Sequence, residues 1–190
     1  MARHDEVLAF WFGAGTPEYL RPRAVWFRTD PAFDSEIRER FQPDWERASR
    51  GELADWADGR ESCLALVIVC DQFPRNLFRG AASAFSTDPL ARAAARRALD
   101  RGDDQVFAPV QRWFMYLPLE HSENLADERR SVALFEQLRN DAESAVAIDS
   151  VRRHLAIIER FGRFPHRNRM LGRTSTPEEE GFVLTPGSSF

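Results

Sequence analysis

The sequence predicts an all-α protein, built from antiparallel helical hairpins and containing about eight to ten helices. Three observations support this fold class. Apolar residues recur at helical spacing along most of the chain. Capping residues and prolines mark several helix starts, and no segment alternates between apolar and polar residues as a half-buried strand does. We expect one domain over residues 1–190, with residues 185–190 as a loose tail.

The first part of the chain contains two predicted helices. Asp5 is a candidate N-cap for a first helix that Gly13 ends. Asp30 precedes a proline, a pattern typical of a helix start, and begins a second helix with an apolar face made of Phe33, Ile37 and Phe41. Because proline disrupts helix interiors, we expect Pro43 to end or kink this second helix.

Residues 60–72 are apolar on nearly every side and are predicted to form the central helix of the core. The run contains the β-branched residues Val67, Ile68 and Val69, so residues 64–70 could instead form a buried strand. Asp88 is also followed by proline, which predicts that it caps a further helix ending at Gly102.

Four more helices are predicted in the C-terminal half. Pro109 begins one that Pro118 closes, and Ser122 is the candidate cap of another that extends to about Asn140. A long helix is predicted over residues 143–161. Thr176 and the glutamate three residues later form a capping box for a short final helix.

Two stretches of similar composition stand out, at residues 71–80 and 161–173. Each follows an apolar helical run, contains Phe-Pro, and then presents arginine and asparagine. Because proline cannot donate to the helical ladder and restricts the residue before it, we expect both to be ordered turns at helix C-termini. If the two turns meet, their arginines form a basic patch on a chain whose net charge is −4.

The composition argues against several function classes. The acidic balance is unlike that of nonspecific nucleic-acid or membrane binders. All 26 cationic side chains are arginine, which excludes lysine Schiff-base chemistry and a P-loop lysine. We predict no cofactor and no metal, because none of the common motifs for them occurs. Cys63 and Cys70 are too far apart on one helix for a disulfide, as expected of reduced thiols in a cytoplasmic protein.

Asp71, His121 and His166 are the candidates for proton transfer. Asp71 continues the buried stripe of its helix, so its carboxylate points inward at a helix C-terminus and needs a cation. It could act as an acid or base, or form a buried salt bridge that locks the turn. His166 lies between Arg163 and Arg167, whose charges should lower its pKa and keep it neutral.

The two other histidines of the C-terminal half are less informative. His121 lies beside two glutamates and could carry a proton or bind a metal, or it could belong to a capping turn. His154 lies at the edge of an apolar stripe and is interpreted as a satisfied core residue.

Taken together, these motifs resemble the uncharacterised family known as domain of unknown function 924. The resemblance extends over nearly the whole chain and is carried by Phe10-Trp11-Phe12, Trp26-Phe27, Asp71-Gln72-Phe73-Pro74-Arg75-Asn76, Tyr116-Leu117-Pro118, His121-Ser122-Glu123, Arg163-Phe164-Pro165-His166-Arg167-Asn168 and Leu171-Gly172-Arg173. It implies an all-helical, tetratricopeptide-like α-α superhelix. It implies no established activity, so no catalytic residue is carried over from the family.

The leading hypothesis is a polar pocket for a small anionic ligand, because the guanidinium fork suits carboxylate and phosphate. If the pocket is catalytic, we expect hydrolysis or transfer using Asp71, His121 or His166. The expected ligand-binding residues are Arg75, Asn76, Arg79, Glu123, Arg163, Arg167, Asn168 and Arg173.

The rival hypothesis is an interaction module whose concave face binds a peptide, with the arginine turns purely structural. A simpler alternative is that every arginine caps a helix or pairs with an acid. An open groove lined by exposed aromatic residues would favour the interaction module, whereas a closed polar cavity would favour the small ligand.

Overall fold

Helices account for all the regular secondary structure of the computed structural model, which describes residues 2–188. The predicted all-α fold class is confirmed. The α-helices within the described residues are α1 (Arg3–Trp11), α2 (Pro31–Ser49), α3 (Arg60–Val67), α4 (Phe73–Leu77), α5 (Asp88–Arg101), α6 (Pro109–Glu120), α7 (Leu125–Glu136), α8 (Ala145–Phe161) and α9 (Pro177–Val183). The last two positions of the predicted tail lie outside the described residues, and the superhelical arrangement stays a prediction.

Helix α3 lies at the centre of the core, as the all-round apolar character of its sequence predicts. Every residue from Cys63 to Phe73 is buried, and Phe73 packs against the rings of Trp11 and Phe41. The alternative of a strand over residues 64–70 is wrong, because this stretch is helical throughout. A helix can satisfy all of its backbone hydrogen bonds internally, which suits a segment with no exposed side.

The first Phe-Pro does not end its helix, contrary to the prediction. Residues Ile68–Gln72 form a π-helical turn that joins α3 to α4, so the helical path continues through Pro74 to Leu77. A proline in a helix leaves the carbonyl four residues earlier without its usual donor. Here that carbonyl belongs to Cys70, and Thr87 Oγ1 donates to it at 2.6 Å. Asp71 therefore lies within a helical turn rather than at a helix C-terminus.

Two other prolines also lie inside helices; the sequence predicted an end at Pro118, and an end or a kink at Pro43. Helix α2 continues through Pro43, and α6 continues through Pro118 to Glu120. An interior proline costs about 3 kcal/mol. Burial on both sides of each proline outweighs this local preference, since Phe41 and Ala48 are buried in α2 and Leu117 and Leu119 in α6.

Several predicted caps lie at neighbouring positions. Helix α1 begins at Arg3, and Asp5 is in its first turn, where its carboxylate accepts from the backbone of Ala2. Asn124, not Ser122, caps α7, which ends at Glu136. Asp88 is the first residue of α5 rather than its cap. The capping box at Thr176 and the left-handed Gly102 are found where the sequence placed them.

Helices α6, α7 and α8 pack together in chain order and position the site. Short connections make α7 antiparallel to both neighbours, so α6 and α8 run in the same direction. Side-chain contacts agree with this, because Trp113 bonds to Ser144 and Glu120 to Ser150. Within residues 2–188, no helix combines the length and apolarity that a bilayer crossing requires.

Candidate functional site

Both Phe-Pro segments contribute to one cavity of about 820 Å³. The π turn and α4 form one side, the segment after α8 forms another, and α6 and α8 form the floor. Arg75 from the first segment and Arg167 from the second approach the same carboxylate, that of Asp88, at 2.8 and 3.9 Å. Arg75 and Arg167, 92 positions apart in sequence, are thus adjacent in space.

Asp71 and His121 form a hydrogen-bonded pair at the cavity wall, with His121 lining the cavity and Asp71 behind it. Asp71 is completely buried, and its Oδ1 lies 2.8 Å from His121 Nδ1, while Gln72 Nε2 donates to Oδ2 at 2.6 Å. Arg75 Nη1 lies 3.4 Å from Asp71 and also donates to its backbone carbonyl. Burial opposes ionisation of Asp71, but Arg75, His121 and Gln72 outweigh it and hold the pKa of this carboxyl well below its usual range.

The pairing determines the tautomer of His121. An ionised carboxylate only accepts hydrogen bonds, so Nδ1 carries the proton and Nε2 has the lone pair. Burial and the charge of Arg75 lower the pKa of His121 despite Asp71, which keeps the ring neutral at pH 7. His121 lines the cavity, and Nε2 has no hydrogen-bond partner among the described residues. This nitrogen can therefore accept a proton from a bound molecule.

Arg75 has its charge compensated by the protein. Its guanidinium binds Asp88 with two hydrogen bonds, at 2.8 and 3.2 Å, in addition to its contacts with Asp71. Its position at the cavity wall therefore depends on two buried acids from different helices. Asp88 was expected only as a helix cap, and its role as a shared counterion requires the packing of α5 against the π turn.

Arg167 is the least compensated cation of the cavity. Only 6% of the residue is exposed, and its guanidinium lies between the rings of Phe85 and Phe164, at 4.8 and 4.4 Å from their centroids. Nη1 donates to the carbonyl of His121 at 3.0 Å, while the buried Nε has no hydrogen-bond partner in the described structure. Burial, followed by the charge of Arg75, lowers the pKa of this guanidinium to about 10.

A second carboxylate–histidine pair lies next to the first. His154 Nδ1 is 3.0 Å from Glu120 Oε1, which also accepts from Ser150 Oγ at 3.0 Å. The rings of His121 and His154 are 6.4 Å apart. His154 is buried and paired, as interpreted from sequence, but it also lines the cavity. Sequence reasoning missed this pair, although the two residues lie on polar ends of otherwise apolar helical faces.

His166 also lines the cavity. Burial, and after it the charge of Arg167, lower the pKa of His166 to about 4, so the ring is neutral at pH 7. The neutrality expected from sequence is found, but only one of the two neighbouring arginines contributes to it. Arg163 instead turns to Glu179, with hydrogen bonds at 2.6 and 2.8 Å.

The remaining ligand-binding candidates are engaged in structural contacts. Asn76 and Arg79 both bind Asp34 of α2, at the edge of the cavity. The others form a network that fastens the segment after α8 to α9 and to the loop before α7. Its members are Glu123, Arg163, Phe164, Asn168, Arg173, Thr176 and Glu179. These contacts position Arg167 and His166, and the network itself does not line the cavity.

Glu128 is a buried carboxyl behind the site that sequence reasoning did not identify. It lies on α7 with no exposed surface, and neither of its oxygens has a hydrogen-bond partner among the described residues. Burial and the nearby charges of Glu120 and Asp127 raise its pKa to about 10, although the charge of Arg167 acts in the opposite direction. Glu128 is therefore uncharged at neutral pH. Glu128 lies one helical turn from Ser131, which is also buried. Together they place polar but uncharged groups on the buried side of α7.

The described residues contain no group of three or more histidine, cysteine or acidic side chains arranged to hold a metal ion. The two cysteines do not reach the cavity lining. Burial raises the pKa of Cys63 to about 11 and that of Cys70 to about 12, so neither is a reactive thiolate at neutral pH.

Comparison with known proteins places the chain among proteins of unassigned activity. A family model described as "Bacterial protein of unknown function (DUF924)" matches residues 7–187. The solved structure of the protein of unknown function ATU0120 from Agrobacterium tumefaciens is similar, with 41% sequence identity and a TM-score of 0.85. The match covers 95% of this chain and 96% of that one. A search of curated proteins gave no match.

Proposed function

The chain belongs to the DUF924 family, and we propose that it binds a small anionic ligand, a carboxylate or a phosphate, in the cavity between its two Phe-Pro segments. The observation that carries this proposal is the state of Arg167. A buried cation ordinarily has an acid and several acceptors around it. Arg167 has one carbonyl at 3.0 Å, no acceptor for Nε among the described residues, and its nearest carboxylate oxygen at 3.9 Å.

The sharing of Asp88 strengthens the argument. Both oxygens of this carboxylate are engaged by Arg75, so Arg167 receives only a long-range share of its charge. An anion in the cavity would give the second guanidinium a counterion of its own. Arginine binds carboxylate and phosphate through planar, charge-assisted pairs, and such pairs are strong where water is excluded.

The Asp71–His121 pair supports a catalytic role for the same site. His121 would be the catalytic base, taking a proton through Nε2 from water or from a hydroxyl group of the ligand. Asp71 would position the ring and stabilise the imidazolium that forms, as buried carboxylates do for histidine bases. His166 is a second neutral imidazole in the same cavity. Hydrolysis or group transfer on an anionic substrate is the reaction class that fits these groups.

One observation favours the rival role as an interaction module. Phe27 and Val146 line the cavity mouth with 65% and 77% of their surface exposed, which is typical of a surface that receives an apolar side chain. Arg79, Arg163 and Arg173 are paired with acids, which supports the structural interpretation for these three arginines. It does not account for Arg167, and for this reason we favour the small ligand.

Thermal unfolding in the presence of phosphate, sulfate and acetate tests the binding proposal. At about 100 times its Kd, a bound anion adds about 2.7 kcal/mol to the free energy of unfolding. Arg167→Met should abolish the anion-dependent rise in Tm. Arg139→Ala, at an exposed position in the turn after α7, should retain it. Each variant is compared with itself without anion, so a general loss of stability does not obscure the result. The absence of a rise for all three anions, or an equal rise in both variants, would contradict the proposal.

Catalysis is tested separately with the anionic substrate p-nitrophenyl phosphate. His121→Gln should remove turnover while leaving the anion-dependent rise in Tm. Turnover that is equal in the wild type and in His121→Gln would exclude His121 as the base.

A further inference from the structure

We infer that the anionic ligand is amphipathic, with its charged group beside Arg167 and an apolar body extending along α6 and α8. This inference rests on the proposed anion site and specifies which class of anion it takes. A cavity of about 820 Å³ is in the range of sites for organic ligands of some twenty or more atoms. Inorganic phosphate alone would leave most of it unfilled.

The cavity has a polar end and an apolar end, because the faces of α6 and α8 change character in the same direction. On α6 the lining residues are Trp113 and Leu117, followed by Glu120 and the adjoining His121. On α8 they are Val146 and Ala147, followed by Ser150, Arg153 and His154.

Contacts between the two helices keep these ends in register. Trp113 Nε1 donates to Ser144 Oγ at 2.7 Å at the apolar end, and Ser150 Oγ donates to Glu120 at 3.0 Å at the polar end. Seven or eight residues separate the two ends on each helix. At 1.5 Å per residue, the apolar wall therefore extends about 10 Å from the histidines.

The aromatic residues at the apolar end offer no hydrogen bonds to a ligand. The indole N–H of Trp113 is used by Ser144, and that of Trp26 donates to the carbonyl of Trp11 at 3.1 Å. The remaining wall there includes Phe135, Leu117 and Ala147, and the one acid at this end, Glu143, is paired with Arg21. A ligand region in contact with this wall gains free energy only by removing apolar surface from water.

The cavity opens to solvent at the apolar end, where Val146 and Phe27 line it and are largely exposed. Arg167 and His154 at the other end are buried, although Arg153 beside His154 is exposed. A ligand would thus enter with its anionic group first and leave the end of its apolar body near the mouth. Binding should strengthen with chain length until the chain reaches solvent, and then level off.

Isothermal titration calorimetry on the intact protein with acetate, butanoate, hexanoate and octanoate tests the inference. Each methylene that becomes buried should lower Kd roughly three- to fourfold. Octanol, which has the apolar chain without the charge, should bind far more weakly than octanoate. Affinity that does not change from acetate to octanoate would overturn the inference while leaving the proposed anion site intact. If none of the carboxylates and no phosphate binds, the proposed function itself fails.

Two variants test where the apolar body of the ligand lies in the cavity. Ala147→Leu adds volume to the apolar part of the lining and should remove most of the gain between butanoate and octanoate, with butanoate affinity unchanged. Leu117→Ala removes wall surface and should also reduce the gain, so a folding defect in one variant leaves the other informative. Arg139→Ala is the matched control at an exposed site. A chain-length gain that is equal in both wall variants and in the control would place the apolar body elsewhere and overturn the inference.

Discussion

Replacement of Glu128 by glutamine keeps the size of the side chain but removes its ability to ionise. In the folded protein the carboxyl has no exposed surface and no hydrogen-bond partner among the described residues, and its pKa is raised to about 10. In the unfolded chain it ionises near its ordinary value, about 4.3. Folding at neutral pH therefore requires uptake of a proton, which lowers the stability of the wild type.

The sign and size of the effect follow from this difference. Because the pKa of Glu128 is higher in the folded protein than in the unfolded chain, the wild type is most stable below about pH 4. It loses stability as the pH rises toward the folded pKa. At pH 7, about 2.7 pH units at 1.36 kcal/mol each give an upper limit near ~3.7 kcal/mol. The glutamine amide of the variant and the neutral carboxyl of the wild type are both buried without a partner. The free-energy cost of removing each from water is therefore similar, and it largely cancels in the comparison. We expect Glu128→Gln to be more stable by about 2–3 kcal/mol at pH 7, and no more stable than the wild type at pH 4.

Urea unfolding between pH 4 and pH 8.5 measures this difference, with Glu180→Gln at an exposed position of α9 as the control. The control should show no comparable pH dependence. Glu128→Leu, which carries no polar atom, should be stabilised with the same dependence on pH. A Glu128→Gln protein that is less stable than the wild type at every pH would show that the carboxylate is ionised and bound in the fold.

Two further predictions concern buried groups of the core. Asp71→Ala should destabilise the protein by about 3 kcal/mol, near the lower limit for a broken buried pair, because Arg75 retains Asp88 as a counterion. Glu178→Ala, which breaks an exposed pair with Arg160, is the control and should change the urea midpoint little; equal midpoints for the two variants would refute the buried role of Asp71. Cys63 and Cys70 should react with a thiol reagent only after unfolding, because both are buried and their pKa values are raised to about 11 and about 12. Stoichiometric labelling of the native protein at pH 7.5 would contradict this.

Local patterns predicted the fold class and most helices correctly, because helix periodicity and caps are short-range signals. The capping box at Thr176 and the glycine at position 102 act within one helical turn. The helix ends that were predicted at prolines and not found have one physical origin. Pro43, Pro74 and Pro118 each lie inside a helix because burial of the flanking residues outweighs a local penalty of about 3 kcal/mol.

For the site, the sequence by itself indicated which residue types were unusual: an inward-facing Asp71, His121, and arginines after two Phe-Pro pairs. Only the tertiary structure decided which of them share a cavity. Asp71 and His121 are 50 residues apart, and Arg167 reaches the carbonyl of His121 from 46 residues away. Conversely, Arg163 and Arg173 resemble Arg167 in sequence but are paired with Glu179 and Glu123. Pairing between distant segments depends on how α6, α7 and α8 pack, and periodicity along a single chain contains no information on that packing.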